Sequence, residues 1–213
     1  DRLRQLRHTR FGQWTNQEIS SAIQCMLERD VLALIRKHIP QPEGKNIVLA
    51  GGVFANVKLN QRVKALGFAN IFIQPAMGDE GTGFGAAILA AHQRAPFAPY
   101  RLHDVYLGPE FSPLEIRTAL DAAQLQYQEL TNGRMELRLA ELLHEGFIIA
   151  RCQGRMEFGP RALGNRSILY HTQDPAANDW LNHQLRRSEF MPFAPVTLME
   201  HAHNCYNNVS GAE

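Results

Sequence analysis

Two short apolar runs, Phe147-Ile148-Ile149-Ala150 and Ser167-Ile168-Leu169-Tyr170, bracket the stretch Gly154-Arg155-Met156-Glu157-Phe158-Gly159-Pro160-Arg161-Ala162-Leu163-Gly164-Asn165-Arg166. Each run reads as a buried strand, one feeding a long loop and the other leaving it, so the arginines between them sit among core elements. Within the loop, Gly154, Gly159 and Gly164 recur at five-residue spacing and alternate with Arg155, Arg161 and Arg166. Glycine tolerates positive φ and lets a ligand approach the main chain, while arginine offers a planar fork of donors matched to phosphate or carboxylate oxygens. The composition is that of an anion pocket, against the plainer reading of a solvated basic turn. Glu157 is the acidic residue that offsets the charge.

The run resembles the signature of the O-carbamoyltransferases, the enzymes of antibiotic tailoring and nodulation-factor carbamoylation. Three further stretches match that family in its order: Leu49-Ala50-Gly51-Gly52-Val53-Phe54-Ala55-Asn56, Met77-Gly78-Asp79-Glu80-Gly81-Thr82-Gly83-Phe84-Gly85-Ala86-Ala87, and Glu189-Phe190-Met191-Pro192-Phe193-Ala194-Pro195. The likeness runs from about Thr15 to Leu198. It implies two modules: an actin-like ATPase (ASKHA) domain that transfers a carbamoyl group to a substrate hydroxyl with a bound metal, then a YrdC-like α/β domain that makes carbamoyl-adenylate from carbamoyl phosphate and ATP. It also implies Fe2+ in the first module and Mg2+ with the ATP. Family members extend further in both directions, so the chain is expected to be an internal piece of a longer protein, inactive when isolated.

The chain's 213 residues accommodate one large or two small domains, and a 45% hydrophobic content is that of a globular protein. A net charge of +1 gives no global attraction to nucleic acid or acidic membranes, so anion binding must be local. The cysteines Cys25, Cys152 and Cys205 are far apart and odd in number, which fits a reducing cytoplasm better than a disulfide framework. No apolar run approaches the roughly 20 residues that span a bilayer.

Thr15 followed by Glu18 predicts a helix cap, and apolar residues from Ile19 to Ile35 at three- and four-residue spacing carry a helix to about His38. Asn46 to Ala50 then reads as a strand, Asn56 to Leu66 as a helix, Ile71 to Ile73 as a second strand and Thr82 to Gln93 as a helix of small residues. This alternation predicts an α/β layer with parallel strands. Pro96 and Pro99 break the pattern, which places the domain boundary near Pro99: residues 1–99 form the end of the first module and 100–213 the start of the second. Beyond it, Ser112-Pro113-Leu114-Glu115 opens a helix, a second spans Met135 to His144, a short turn of helix is expected from Pro160 to Gly164, Asp174-Pro175 caps a helix to about Arg187, and Phe193 to Met199 is expected as strand.

Gly51 and Gly52 stand where a strand hands over to a helix. They serve either a tight turn or, through backbone N–H groups, a phosphate; the resemblance favours the nucleotide, with Asn56 and Gly81 as further contacts. Asp79 at a helix entrance is a natural cap, and the matching aspartate of the family is a metal ligand. Alone it cannot hold a metal tightly, and the HxxH spacing of the family's other ligands is absent from this chain. In the second module the resemblance gives Arg155, Arg161 and Arg166 the phosphates of ATP and carbamoyl phosphate, converging on one hollow, with Glu157 orienting an arginine. Asn165 and Ser167 serve either as neutral donors to phosphate or ribose or as caps of a turn, and Arg186-Arg187 either meets phosphate or completes a helix C-terminus. His201, His203 and Cys205 are read as incidental rather than as a metal cluster.

Two rivals stand beside this reading. An RNA-binding module would interleave aromatics with its basic residues, and the loop supplies only Phe158. An actin-fold sugar kinase would use the glycine turns but leave the arginines without a purpose.

Overall fold

The computed structural model describes residues 12–98, 102–130, 133–171, 173, 176–186, 193–207 and 209. Its contacts divide the chain into two units, Asp1–Tyr100 and Arg101–Glu213. The expected boundary at Pro99 lies outside the described residues, as do the Asp174-Pro175 cap, Arg187 and the stretch from Glu189 to Pro192.

In the first unit, helix α1 (Asn16–His38) begins in a capping box: the Thr15 hydroxyl accepts the Glu18 N–H at 3.2 Å, and the Glu18 carboxylate accepts the Thr15 N–H at 2.8 Å. The apolar residues of α1 divide between two faces. Leu27, Val31, Leu32 and Ile35 pack against the core of Leu49, Leu59, Val63 and Phe68, while Ile23, Met26 and Leu34 remain exposed. Strand β1 (Asn46–Leu49) and strand β2 (Asn70–Ile73) pair in parallel, with Ile47 opposite Ile71 and Leu49 opposite Ile73. Strand alternation sends those four residues towards the core and turns the opposed pair Val48 and Phe72 outward.

The connection between the strands is a 3-10 turn (Gly52–Ala55) followed by helix α2 (Val57–Lys64), whose Leu59 and Val63 are the most deeply buried side chains of the unit. Helix α3 (Glu80–Arg94) follows β2 and starts two residues before the expected Thr82.

In the second unit, helix α4 (Pro113–Ala122) opens on the Ser112–Glu115 capping box with proline in its first turn. Helix α5 (Arg134–His144) ends at Gly146, φ +87°, where the Phe147 N–H donates back to the Leu142 carbonyl at 2.9 Å. That bond keeps Phe147 out of the next strand. Accordingly β3 covers Ile149–Cys152 and β4 covers Arg166–Leu169, shifted from the expected 147–150 and 167–170. They pair antiparallel, Cys152 opposite Arg166, and the Gln153 N–H continues the ladder to the Asn165 carbonyl at 3.0 Å. The arginine loop is thus the connection of one β-hairpin.

Two expectations fail here. No helical turn forms from Pro160 to Gly164, because Gly159 and Gly164 adopt φ of +110° and +105° and the N–H groups of Leu163 and Asn165 go to a side-chain carboxylate instead of a helix carbonyl. Residues 193–198 are not a strand either, since none of the described strands pairs with them. Helix α6 (Ala177–Gln184), a 3-10 turn (Met199–His201) and helix α7 (Ala202–Cys205) complete the unit. Among the described residues no helix is long and apolar enough to cross a membrane.

Candidate functional site

Because β1 and β2 run in parallel, their C-terminal ends share one edge, and the chain leaves each strand there into a loop. The Gln74 N–H donates to the Leu49 carbonyl at 2.9 Å, which sets the start of the loop after β2 beside the start of the loop after β1. Gly51-Gly52 and Pro75 to Asp79 therefore flank one another at the carboxyl edge, where open α/β sheets bind ligands. Gly51 adopts φ +108°, and open space surrounds the position of a side chain at both Gly51 and Gly52. A bound group can approach the main chain there.

The other residues of this edge have structural posts. The Asn56 carboxamide caps α2 by accepting the Leu59 N–H at 3.0 Å and exchanges hydrogen bonds with Gln24 of α1, donating to its carbonyl oxygen at 2.7 Å. Gly81 is required by packing, because a Cβ at this position would overlap the carbonyl oxygen of the buried Ala76. Asp79 precedes α3 with helical backbone angles, and its carboxylate caps nothing. It is exposed. Among the described residues no three His, Cys, Asp or Glu side chains are grouped to hold a metal, so Asp79 alone does not make a fitting site for a resident ion.

In the second unit the arginine loop is a built structure. All three evenly spaced glycines have positive φ: +57° at Gly154, +110° at Gly159 and +105° at Gly164. Glu157, only 6% exposed, lies inside the loop, and its carboxylate accepts the main-chain N–H groups of Leu163 at 3.0 Å, Asn165 at 2.8 Å and Arg166 at 3.0 Å. Burial alone would raise its pKa. The N–H groups of Arg166, of Glu157 itself, of Leu163 and of Asn165 outweigh that and lower the carboxyl from an ordinary 4.5 to about 2. Glu157 thus neutralises converging main-chain donors of the loop that carries Arg161.

The guanidinium groups of Arg155 and Arg166 turn to main-chain carbonyls. Arg155 donates Nε to Gly108 at 3.3 Å and Nη2 to Leu107 at 3.1 Å. Arg166 donates Nη1 to Gln153 and Asn165 and Nη2 to Pro109 and Gly154, all within 3.0–3.2 Å, which leaves Nε as its spare donor. Its guanidinium also lies 5.8 Å from the Phe111 ring centre. These two arginines brace the loop instead of opening together on a hollow. Arg161 is exposed near the tip, within the segment enclosed by Glu157 and Leu163.

Asn165 and Ser167 hold the loop as well: the Asn165 amide donates to the Arg155 carbonyl at 2.8 Å, and the Ser167 hydroxyl accepts the Gly164 N–H at 2.7 Å. Arg186, at φ +50° with its N–H on the His183 carbonyl, follows the end of α6, where a positive charge suits the helix dipole.

The sequence reading missed the segment Val105–Pro109, which runs alongside the loop. Phe158 N–H donates to Val105, Gly108 N–H to Met156 and Met156 N–H to Pro109, while the Tyr106 hydroxyl donates to the Leu163 carbonyl at 2.9 Å. A Cβ at Gly108 would come within 2.8 Å of the Met156 Cβ, so the pair Gly108-Pro109 was the available signal. A separate open hollow of about 330 Å³, lined by Gln128, Leu130, Arg134, Leu137, Arg138 and Glu141, shares no residue with the arginine loop.

Comparison with known proteins gives two family matches in chain order: the carbamoyltransferase N-terminus over residues 2–88 and the carbamoyltransferase C-terminus over residues 140–212. The carboxyl edge of β1 and β2 falls in the first match and the arginine loop in the second. Nodulation protein NolNO of Sinorhizobium fredii is 36% identical over 90% of this chain and 29% of its own length. An uncharacterized protein of Synechocystis is 38% identical over 86% of this chain and 31% of its own. Nodulation protein NolO of Bradyrhizobium diazoefficiens is 36% identical over 88% and 35%. The chain therefore spans about a third of the length of these curated relatives.

Proposed function

Since this chain belongs to the carbamoyltransferase family, we propose that it is the central part of an ATP-dependent O-carbamoyltransferase, joining the end of an actin-like transfer module to the start of a YrdC-like adenylate-forming module. The observation that carries this reading is the presence, in order on one chain, of matches to both family ends, each containing one of the two loop systems described above.

In the proposed reaction, water hydrolyses carbamoyl phosphate: the bond between the carbamoyl group and the phosphate breaks, the water oxygen completes the products, and carbamate and inorganic phosphate form. A carbamate oxygen attacks the α-phosphorus of ATP, the bond to the β-phosphate oxygen breaks, and pyrophosphate leaves. The substrate hydroxyl then attacks the carbamoyl carbon, loses its proton and displaces AMP. Adenylate formation asks little covalent chemistry of the protein, so positioning and cationic stabilisation supply most of the rate. Arg161 is assigned the cationic role at the phosphates, with Arg155 and Arg166 as the frame that fixes the loop carrying it. Gly51 and Gly52 admit the nucleotide to the main chain at the transfer site.

The test is pyrophosphate release by the full-length protein, supplied with ATP, with and without carbamoyl phosphate. Release that requires carbamoyl phosphate, and is lost in Arg161→Ala, supports the reading. Release indifferent to carbamoyl phosphate or to Arg161 rejects it.

A further inference from the structure

The chemistry assigned to the arginine loop needs its cation carried at one place, yet the loop contains three positive-φ glycines. Something must define the loop's path at its tip. Main-chain pairing does not: the hairpin ladder ends where Gln153 meets Asn165, and the chain between them is neither strand nor helix. The Val105–Pro109 segment holds the outgoing limb at Met156 and Phe158 and reaches the returning limb through Tyr106. Between the limbs stands one buried carboxylate.

We propose that Glu157 is a positioning residue for the carbamoyl-adenylate reaction: by accepting the N–H groups of Leu163, Asn165 and Arg166, it closes residues 158–162 into a fixed bight and so sets where Arg161 meets the anionic substrates. The inference rests on the carbamoyltransferase reading given above. The bond to Leu163 bridges six positions in the chain, clasping the base of the segment that holds Gly159, Pro160 and Arg161. The bonds to Asn165 and Arg166 anchor that clasp at the start of β4, where Arg166 is itself braced on four carbonyls. The three N–H groups converge on one oxygen, Oε1, and Oε2 also accepts from the Arg166 N–H at 3.1 Å; glutamine at position 157 retains the size but removes the charge that strengthens these bonds and sets an N–H2 against the Arg166 donor.

The experiment uses the full-length protein and compares wild type with Glu157→Gln. Kinetics are read for carbamoyl phosphate and for the hydroxyl acceptor, and amide exchange is read at Leu163, Asn165 and Arg166. Glu157→Gln is expected to raise the KM for carbamoyl phosphate about tenfold with the acceptor KM unchanged, and to accelerate exchange at those three amides. An unchanged KM overturns the proposal, as does unchanged exchange. Where Glu157→Gln does not fold, Glu157→Asp replaces it; its carboxylate is one methylene too short to span all three donors, and wild-type behaviour there overturns the proposal equally. If the wild-type protein releases no carbamoyl-dependent pyrophosphate, the reaction assignment fails on its own, and the exchange rates still decide whether Glu157 fixes the loop.

Discussion

Arg166 donates Nη2 to the carbonyl oxygen of Pro109 at 3.2 Å, linking the first residue of β4 to a segment 57 positions earlier. The same guanidinium reaches Gly154, Gln153 and Asn165, so one side chain ties both limbs of the hairpin loop to the segment beside it. Arginine suits this post because its fork is planar and presents several N–H groups at once.

Arg166→Lys keeps the charge and loses the fork. It should weaken the loop by about 2 kcal/mol, since a lysine ammonium cannot serve four carbonyls set around a plane. Amide exchange over residues 153–165 of the full-length protein should rise, while exchange in α1 and α2 stays as it was.

Stability of the loop should depend on pH in a defined direction. The Glu157 carboxyl sits at about 2 in the folded protein against an ordinary 4.5, so its contribution is fully present above about pH 4.5 and is lost as the pH falls from there towards 2. Exchange at Leu163, Asn165 and Arg166, corrected for intrinsic rates, should show that loss in wild type. In Glu157→Gln the same window should be flat.

The two capping boxes give a control on helix termini away from the candidate sites. Thr15→Ala and Ser112→Ala should each cost about 1 kcal/mol of local stability, read as faster exchange in the first turn of α1 or α4. Thr15→Ser should be close to neutral.

Glycines of the Met77 to Ala87 stretch should separate by their surroundings. Gly81→Ala drives a methyl into the Ala76 carbonyl and should destabilise the first unit by about 1–3 kcal/mol, displacing the loop that carries Asp79. Gly83→Ala meets nothing within 4 Å and, inside α3, should stabilise by up to about 1 kcal/mol. Unfolding in urea, followed by a probe in the first unit, distinguishes them.

What could be read from the residues was mostly local. The Thr15 and Ser112 caps, the parallel pairing implied by alternating strands and helices, and the need for glycine at Gly154, Gly159 and Gly164 all follow from short-range chemistry, and the structure agrees. The loop's interior was not legible, because the choice was made by tertiary contacts. Glu157 took the N–H groups that a helical turn at Pro160 would have used, and the carbonyls of Leu107, Gly108 and Pro109 drew in the guanidinium groups that composition assigned to phosphate. For Arg155 and Arg166 the oxygen acceptors are carbonyls of the chain itself. The strand expected from Phe193 failed for a related reason, since β-structure requires a neighbour that composition does not reveal.

The identity of the nucleotide product tests the proposed function most directly. With ATP, carbamoyl phosphate and a hydroxyl acceptor, the full-length protein should yield AMP and pyrophosphate in equal amounts, matched by the carbamoylated product. Formation of ADP, or carbamoylation that proceeds without ATP, would contradict it.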